Sequence, residues 1–560
     1  MKRSFILIAA LALSFLKASA VVDPNFHIYL CFGQSNMEGN AAAESVDKSG
    51  VDSRFRMLAT TDFTSPRRTM GQWYTATPPI VSPQGGLGMA DYFGRTMAAA
   101  LPPEVKVGVV DVAIGGCAIQ MFDKDKYKTQ LTDPSNWSAQ LANRFYGGNP
   151  YKRLIDMAKI AQESGVIKGI LLHQGCSNNG DPNWPGMVKK IYNDILTDLG
   201  LGADSIPLFV GETLRQENGG ACYGHNTQVA RMPSVIPNSY VISSEGCPGN
   251  GKDPWHFNAT GYRIMGKRYA FKALQVMGLE PKANPANTLN TSLSKFFTAK
   301  SLDMTTDFEV MPGQKQRIPV TASFYDGHSE DVTNYMQFVS DDITFSGRLL
   351  APQGDEHGTA EAVYTDFTGK QLTKTINVDV NFFPLKKDCI TKLAGTIDFD
   401  EAKQSLKLSA SAQAGWVYDK GVDLSAYKYL VIKLKEPQSI NAQVRLYASK
   451  SISTLGYRDT INERTTISID LHNLQYSGGK IMDPTKIFML TLRCTKAGTL
   501  LIDKVFLTND DAYAPTGILD VATDERTPRS VYSLQGIKAS SWNQLRPGIY
   551  VVDGKLVRKP

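Results

Sequence analysis

Over the first half of the chain, short apolar runs alternate with stretches whose apolar residues recur every three or four positions. Segments 27–32, 105–112, 169–172, 206–210 and 240–243 have strand length and strand composition. Between or after them come 87–101, 151–163, 187–199 and 261–277; in the second of these, Leu154, Met157 and Ile160 fall on one helical face. Strands alternating with helices predict right-handed crossovers and a parallel sheet covered on both faces. Residues 21–280 therefore read as an α/β domain in three layers.

The period changes further on. Residues 281–290 (PKANPANTLN) are rich in proline and asparagine and lack periodicity, which marks a linker. Ile318, Val320, Ala322 and Phe324 then recur every second residue, as do Ile376, Val378, Val380 and Phe382. Period two is the mark of half-buried antiparallel strands. Residues 291–385 read as one β-sandwich of immunoglobulin-like size. Residues 386–510 form a second β-rich unit, with strands at 429–434, 466–471 and 500–507. A tail, 515–560, closes on a hairpin turning at Gly554.

Composition narrows the function classes. With 42% hydrophobic and 20% charged residues in 560, wholesale disorder is excluded. A net charge of +6 on so long a chain leaves no footprint for nucleic acid. Met1-Lys2-Arg3, an apolar stretch to Leu16 and Ala18-Ser19-Ala20 predict a signal peptide over 1–20, and hence export. After it no apolar run is long enough to span a bilayer. Seven cysteines are too few for a disulfide scaffold; Cys222 with Cys247 and Cys389 with Cys494 are the pairs open to bridging. There is no CxxC and the seven histidines are scattered, so no metal site is expected.

Four blocks carry chemistry. Gly33-Gln34-Ser35-Asn36-Met37 follows the first strand, where a sharp turn presents a serine above the sheet edge. Ile114-Gly115-Gly116 ends the second strand, and a glycine pair lets a backbone N–H approach a ligand. His173-Gln174-Gly175 ends the third and adds a carboxamide. Asp253-Pro254-Trp255-His256 precedes the last helix, spaced so that the carboxylate can orient the imidazole. In an open α/β sheet, ligands bind beyond the carboxyl ends of the strands, so all four blocks fall on the binding edge. Acyl transfer needs this set of a serine, an oriented imidazole and donors for developing negative charge. The expected catalytic residues are Ser35, His256 and Asp253, with an oxyanion hole from Ser35, Gly115 or Gly116, and Gln174. Asn36, Trp137, Trp184 and Trp255 are candidate substrate contacts, the tryptophans as sugar-stacking walls. Trp416 and Tyr418 are candidates for a second stacking platform.

As an ordered set, GQSNM at 33–37, GG at 115–116, HQG at 173–175 and DPWH at 253–256 resemble the blocks of SGNH hydrolases. The similarity is greatest to the branch of sialate O-acetylesterases and bacterial acetylxylan esterases, and it covers 25–280. It implies a flavodoxin-like three-layer fold, which the two β-sandwich domains read above follow, and removal without a cofactor of O-acetyl groups from an acetylated polysaccharide or oligosaccharide of the plant cell wall, with O-acetylated sialic acids as the alternative substrate. Residues 386–510 resemble the jelly-roll modules that accompany carbohydrate-active enzymes, and the tail resembles the sorting-type tails of secreted Bacteroidetes proteins. One position departs from the branch: Cys176 stands where an acidic residue usually follows the Gln-Gly of the third block. A binding or adhesin protein with an inactive hydrolase domain is the alternative from another class.

Overall fold

The computed structural model describes residues 22–515 except 438–440, 455, 462 and 476–478, then 531–534, 538, 548–552 and 555–559. The expected signal peptide, much of the tail and its Gly554 turn lie outside these residues. Two compact units divide the chain. One takes in residues up to Leu302 together with Thr321–Asp331 and Thr365–Leu372, and the other takes in the remainder.

In the first unit, β1 (Phe26–Gly33), β2 (Phe55–Leu58), β3 (Trp73–Thr75), β4 (Lys106–Ala113), β5 (Val166–His173), β6 (Leu208–Gly211) and β7 (Ser239–Ile242) make one sheet. The strand order is β3-β2-β4-β1-β5-β6-β7. Neighbours are parallel except for β3, which lies antiparallel on the edge. Strand β1 shows why the sheet must be covered twice. Tyr29 and Cys31 enter one core with Phe93, Met97, Tyr262 and Tyr269, whereas Ile28, Leu30 and Phe32 enter the other with Leu154, Met157, Ile191 and Ile195. Those partners come from α2 (Met89–Ala100) and α6 (Ala259–Val276) on one face, and from α4 (Pro150–Gln162) and α5 (Trp184–Asp198) on the other. A strand buried on both faces reads as a continuous apolar run, which is what 27–32 is. Two shorter helices, α1 (Ser35–Glu38) and α3 (Trp137–Tyr146), sit at the carboxyl edge.

The register of β1 sets up the site. Gly33 pairs with Ala113 on one side and His173 on the other, so the three central strands end level. A Cβ at Gly33 would lie 2.2 Å from the His173 carbonyl oxygen, so the chain can close up at this point only with glycine.

Residues 281–290, expected as a linker, have no helix or strand and are tied to the first unit by side-chain and backbone hydrogen bonds. Asn287 Nδ2 donates to the carbonyls of Ala98, Ala99 and Leu101 at 3.1, 2.8 and 2.8 Å, and the Asn284 N–H donates to Ala99. The carboxamide satisfies carbonyls that the end of α2 leaves without partners. The stretch 291–385 is likewise shared between the units. Ala299–Asp303 pairs in a small sheet with Thr321–Phe324 and Ser329–Asp331. There Glu330 meets Lys267 of α6, and His328 stacks on Phe324 and Phe296 at 4.4 and 4.8 Å. The buried Lys267 ammonium requires a carboxylate partner, and this segment supplies it.

In the second unit, two five-stranded sheets enclose one core. One contains Gln413–Val422, Ile487–Cys494 and Ala442–Tyr447, and the other Tyr429–Leu434, Gly498–Thr508 and Thr466–Asp470. Trp416 and Tyr418 lie inside that core, bonded to the carbonyls of Pro384 and Phe382, so they form no exposed stacking platform. All seven cysteines are free thiols. Cys222 donates to the Cys176 carbonyl, Cys247 accepts from Arg268, and Cys389 faces Asp388, so neither candidate pair is bridged.

Candidate active site

Ser35 is the first residue of α1, immediately beyond the carboxyl end of β1. Its Oγ lies 2.8 Å from His256 Nε2. On the other side of the ring, Nδ1 lies 2.9 Å from both Asp253 oxygens. The loop that carries the pair is tied into itself. Asn250 Nδ2 donates to Asp253 Oδ2 at 2.8 Å, the N–H groups of Trp255 and His256 donate to Oδ1, and the Asn250 N–H donates back to the His256 carbonyl. Against the upward push of partial burial, the hydrogen bonds from His256, Asn250 and Trp255 hold the Asp253 carboxyl down at about 2. An ionised acceptor at Nδ1 fixes the tautomer that leaves Nε2 free to take a proton from Ser35.

These side chains open onto a cavity of about 410 Å³ lined by Gln34, Glu38, Gln84, Gly116, Trp137, Cys176 and Trp255, among others. Trp137 and Trp255 are 55% and 48% exposed, a pair of aromatic faces at the mouth. Gly116 has φ +74°, and a Cβ there would meet nothing within 4 Å. Gly116 lines this cavity together with Ser35, whose N–H, at the first position of α1, has no acceptor within the helix.

Residues 25–275 match the family model described as carbohydrate esterase, sialic acid-specific acetylesterase. Over that segment, which is under half of the chain, the sequence is that of a carbohydrate esterase domain. Among solved structures, the chain is similar to a protein from Arabidopsis thaliana, at 19% identity over 45% of this chain and 99% of that one, with a TM-score of 0.35. It is also similar to XAC1771, a carbohydrate acetylesterase from Xanthomonas citri, at 15% identity over 63% and 79% of the two chains, with a TM-score of 0.33. For NanS the figures are 16% identity, 46% and 99% coverage and a TM-score of 0.34.

Several expected site residues lie elsewhere in the esterase domain. Gln174 is fully buried; its Nε2 donates to the Cys117 carbonyl and to Asn178, and its Oε1 accepts the Trp184 indole N–H. With every strong bond made inside the core, it offers no donor to an oxyanion. Trp184 is 0% exposed and packs edge-on against His225, so it is no sugar wall. Asn36 is a strut beneath the site: its Nδ2 donates to the Trp255 carbonyl at 3.0 Å and its Oδ1 accepts from Tyr262 at 2.7 Å. The Gly115 N–H is engaged by Glu38 Oε2 at 2.8 Å. Cys176 does stand on the cavity wall, and the hydrogen bond it shares with Cys222, reinforced by burial, raises its thiol and keeps it protonated. Sequence reasoning missed Asn250 and Glu38; for Glu38 the available signal was its place three residues after Ser35 on a helical turn.

Proposed function

We propose that this chain is a secreted serine esterase that removes O-acetyl groups from a neutral sugar of plant cell-wall polysaccharide, as acetylxylan esterases do. Ser35 Oγ attacks the acetyl carbonyl while His256 Nε2 accepts its proton. Asp253 stabilises the imidazolium, and the N–H groups of Ser35 and Gly116 receive the negative charge on the carbonyl oxygen. His256 then protonates the departing sugar oxygen. Water attacks the acetyl-Ser35 ester with His256 again as base, and acetate leaves. The reading is carried by the unbroken relay from Ser35 Oγ through His256 to Asp253, at 2.8 and 2.9 Å, opening onto the cavity. Export rests on the pattern of residues 1–20.

The cavity lining contains no lysine or arginine among the described residues, while Glu38 contributes to its wall and Asp253 stands behind His256. An anionic sugar is ordinarily held by a cation or a set of N–H donors, and two exposed tryptophans suit the flat face of a neutral pyranose. A second reading, an O-acetylated sialic acid, is favoured by the wording of the family description. Acetate release from acetylated xylan oligosaccharides, acetylated neutral monosaccharides and acetylated sialic acid separates the two. The proposal expects kcat/KM on the neutral substrates to exceed that on sialate by at least about tenfold. A preference for sialate overturns it in favour of the second reading, and Ser35→Ala with undiminished turnover removes the serine mechanism.

A further inference from the structure

Glu38 joins the helix of the nucleophile to the two loops that face it. Its Oε2 accepts the Gly115 N–H at 2.8 Å, and its Oε1 accepts the Ser82 hydroxyl at 3.3 Å. Ser82 Oγ in turn accepts the N–H groups of Gln84 and Gly85, at 3.3 and 3.2 Å, which closes the loop carrying Gln84 of the cavity wall. The same helix end is fixed by its backbone: the Gly39 N–H donates to the Ser35 carbonyl at 2.9 Å, and the Gly86 N–H to the Gly39 carbonyl at 2.7 Å. The carboxyl is nearly buried and belongs to the cavity wall. Burying a carboxyl away from ion-pair partners is costly, and no lysine or arginine of the cavity lining offsets it.

A glycine pair leaves a turn free to take several conformations, so the group that holds one of its N–H groups decides where the other points. Glu38 engages the first, so the second is free to meet the substrate. We propose that Glu38 is a positioning residue for acyl transfer: by holding the Gly115 N–H, it sets the Gly115–Gly116 turn so that the Gly116 N–H meets the acetyl oxygen on Ser35. This rests on the serine esterase reading above. Glu38 transfers no proton and takes no part in bond making; it acts through the backbone of Gly116. Its spacing from Ser35 lets one short helix fix the nucleophile and the oxyanion donor together.

Such a role makes a particular division between kcat and KM. An oxyanion donor works on the transition state, so its loss lowers kcat and leaves KM largely alone. A contact with a sugar hydroxyl would do the reverse. The test uses full-length Glu38→Ala, Glu38→Met and Glu38→Gln, with Ser35→Ala in parallel, on 4-nitrophenyl acetate and acetylated xylan oligosaccharides. Glu38→Met keeps the length and buries readily, so it serves if the alanine variant does not fold. Glu38→Ala and Glu38→Met are expected to lose roughly 10- to 100-fold in kcat on both substrates, with KM within about twofold. Glu38→Gln, whose amide oxygen still accepts from Gly115, is expected to recover most of that loss. Unchanged kcat in the folded alanine or methionine variant overturns the proposal. So does an equal fall in all three variants, or a change confined to KM on the oligosaccharide. If Ser35→Ala stays active, the serine reading fails first; if it is inactive while the Glu38 variants turn over normally, only the positioning role fails.

Discussion

At Gly116 the backbone occupies φ +74°, a region an L side chain enters at a cost of about 1–2 kcal/mol. Gly116→Ala meets no steric neighbour, so its effect isolates the backbone. The expected outcome is a loss of stability of about 1 kcal/mol, read by urea unfolding, together with a fall in kcat as the N–H turns away. Asp253→Asn leaves the loop geometry in place but ends the preference for the productive tautomer, and kcat is expected to fall on the order of 10³–10⁴. Glu38 gives a pH signature of its own. Burial pushes its carboxyl up to about 7, against the lowering effect of the Gly115 N–H and the Ser82 hydroxyl. A raised carboxyl keeps its proton in the folded state while the unfolded chain has lost it. Stability therefore falls as pH rises from about 4.5 to 7 and then levels, a contribution on the order of 3 kcal/mol. Glu38→Gln is expected to lose this component, so its Tm should gain on the wild type at pH 8 and not at pH 4.5. The motifs made the residues of the relay legible, because acyl transfer demands particular side chains at particular strand ends. A sequence does not say on which side of a loop a side chain lands: Asn36, Gln174 and Trp184, candidates for substrate or oxyanion contact, are engaged by hydrogen bonds beneath the loops instead.

Among the elements, periodicity carried the central strands and long helices, since strands β1 and β4 to β7 and helices α2 and α4 to α6 each bury a continuous run or a whole stripe. Strands β2 and β3 escaped it: four and three residues are too short to display a period. Asparagine side chains tie the segment 281–290 to α2, a connection with no signature in hydrophobic pattern. The hairpin around His328 teaches the same lesson with charge. Glu330 pairs with Lys267 and His328, all nearly buried. Glu330→Ala strips the ammonium of its carboxylate and is expected to cost about 3–5 kcal/mol in chemical unfolding, whereas an exposed pair such as Lys152–Asp156 is worth less than about 1 kcal/mol. Against the lowering effect of burial, the hydrogen bonds that His328 donates to Asp326 and Glu330 raise its imidazole. A raised imidazole adds stability that is complete at low pH and lost as pH climbs through its folded value. His328→Gln should therefore flatten the alkaline decline in Tm.

On the scale of the whole molecule, the domain that carries the chemistry ends well before the chain does, yet the compact unit around it recruits 321–331 and 365–372 from beyond the expected boundary. A fragment ending at residue 280 keeps every residue of the relay and loses the partners of Lys267. It is expected to unfold at lower urea than the full chain, and an equal midpoint would contradict a stabilising role for the hairpin. The order β2-β4-β1-β5 turns the chain outward on both sides of β1, so the carboxyl ends of the central strands meet at one crevice. The parallel sheet, though not its strand order, was legible in the alternation of strands and helices, and a parallel sheet is enough to place four separate motifs on one edge from sequence. The central claim is that Ser35 carries the acetyl group between substrate and water. Full-length enzyme is to be mixed with excess 4-nitrophenyl acetate, quenched in acid within the first turnovers, digested and read by peptide mass spectrometry. An acetyl adduct on Ser35, missing in Ser35→Ala, is the predicted result; turnover in the wild type with no adduct at Ser35, or with the acetyl group on another residue, would contradict it.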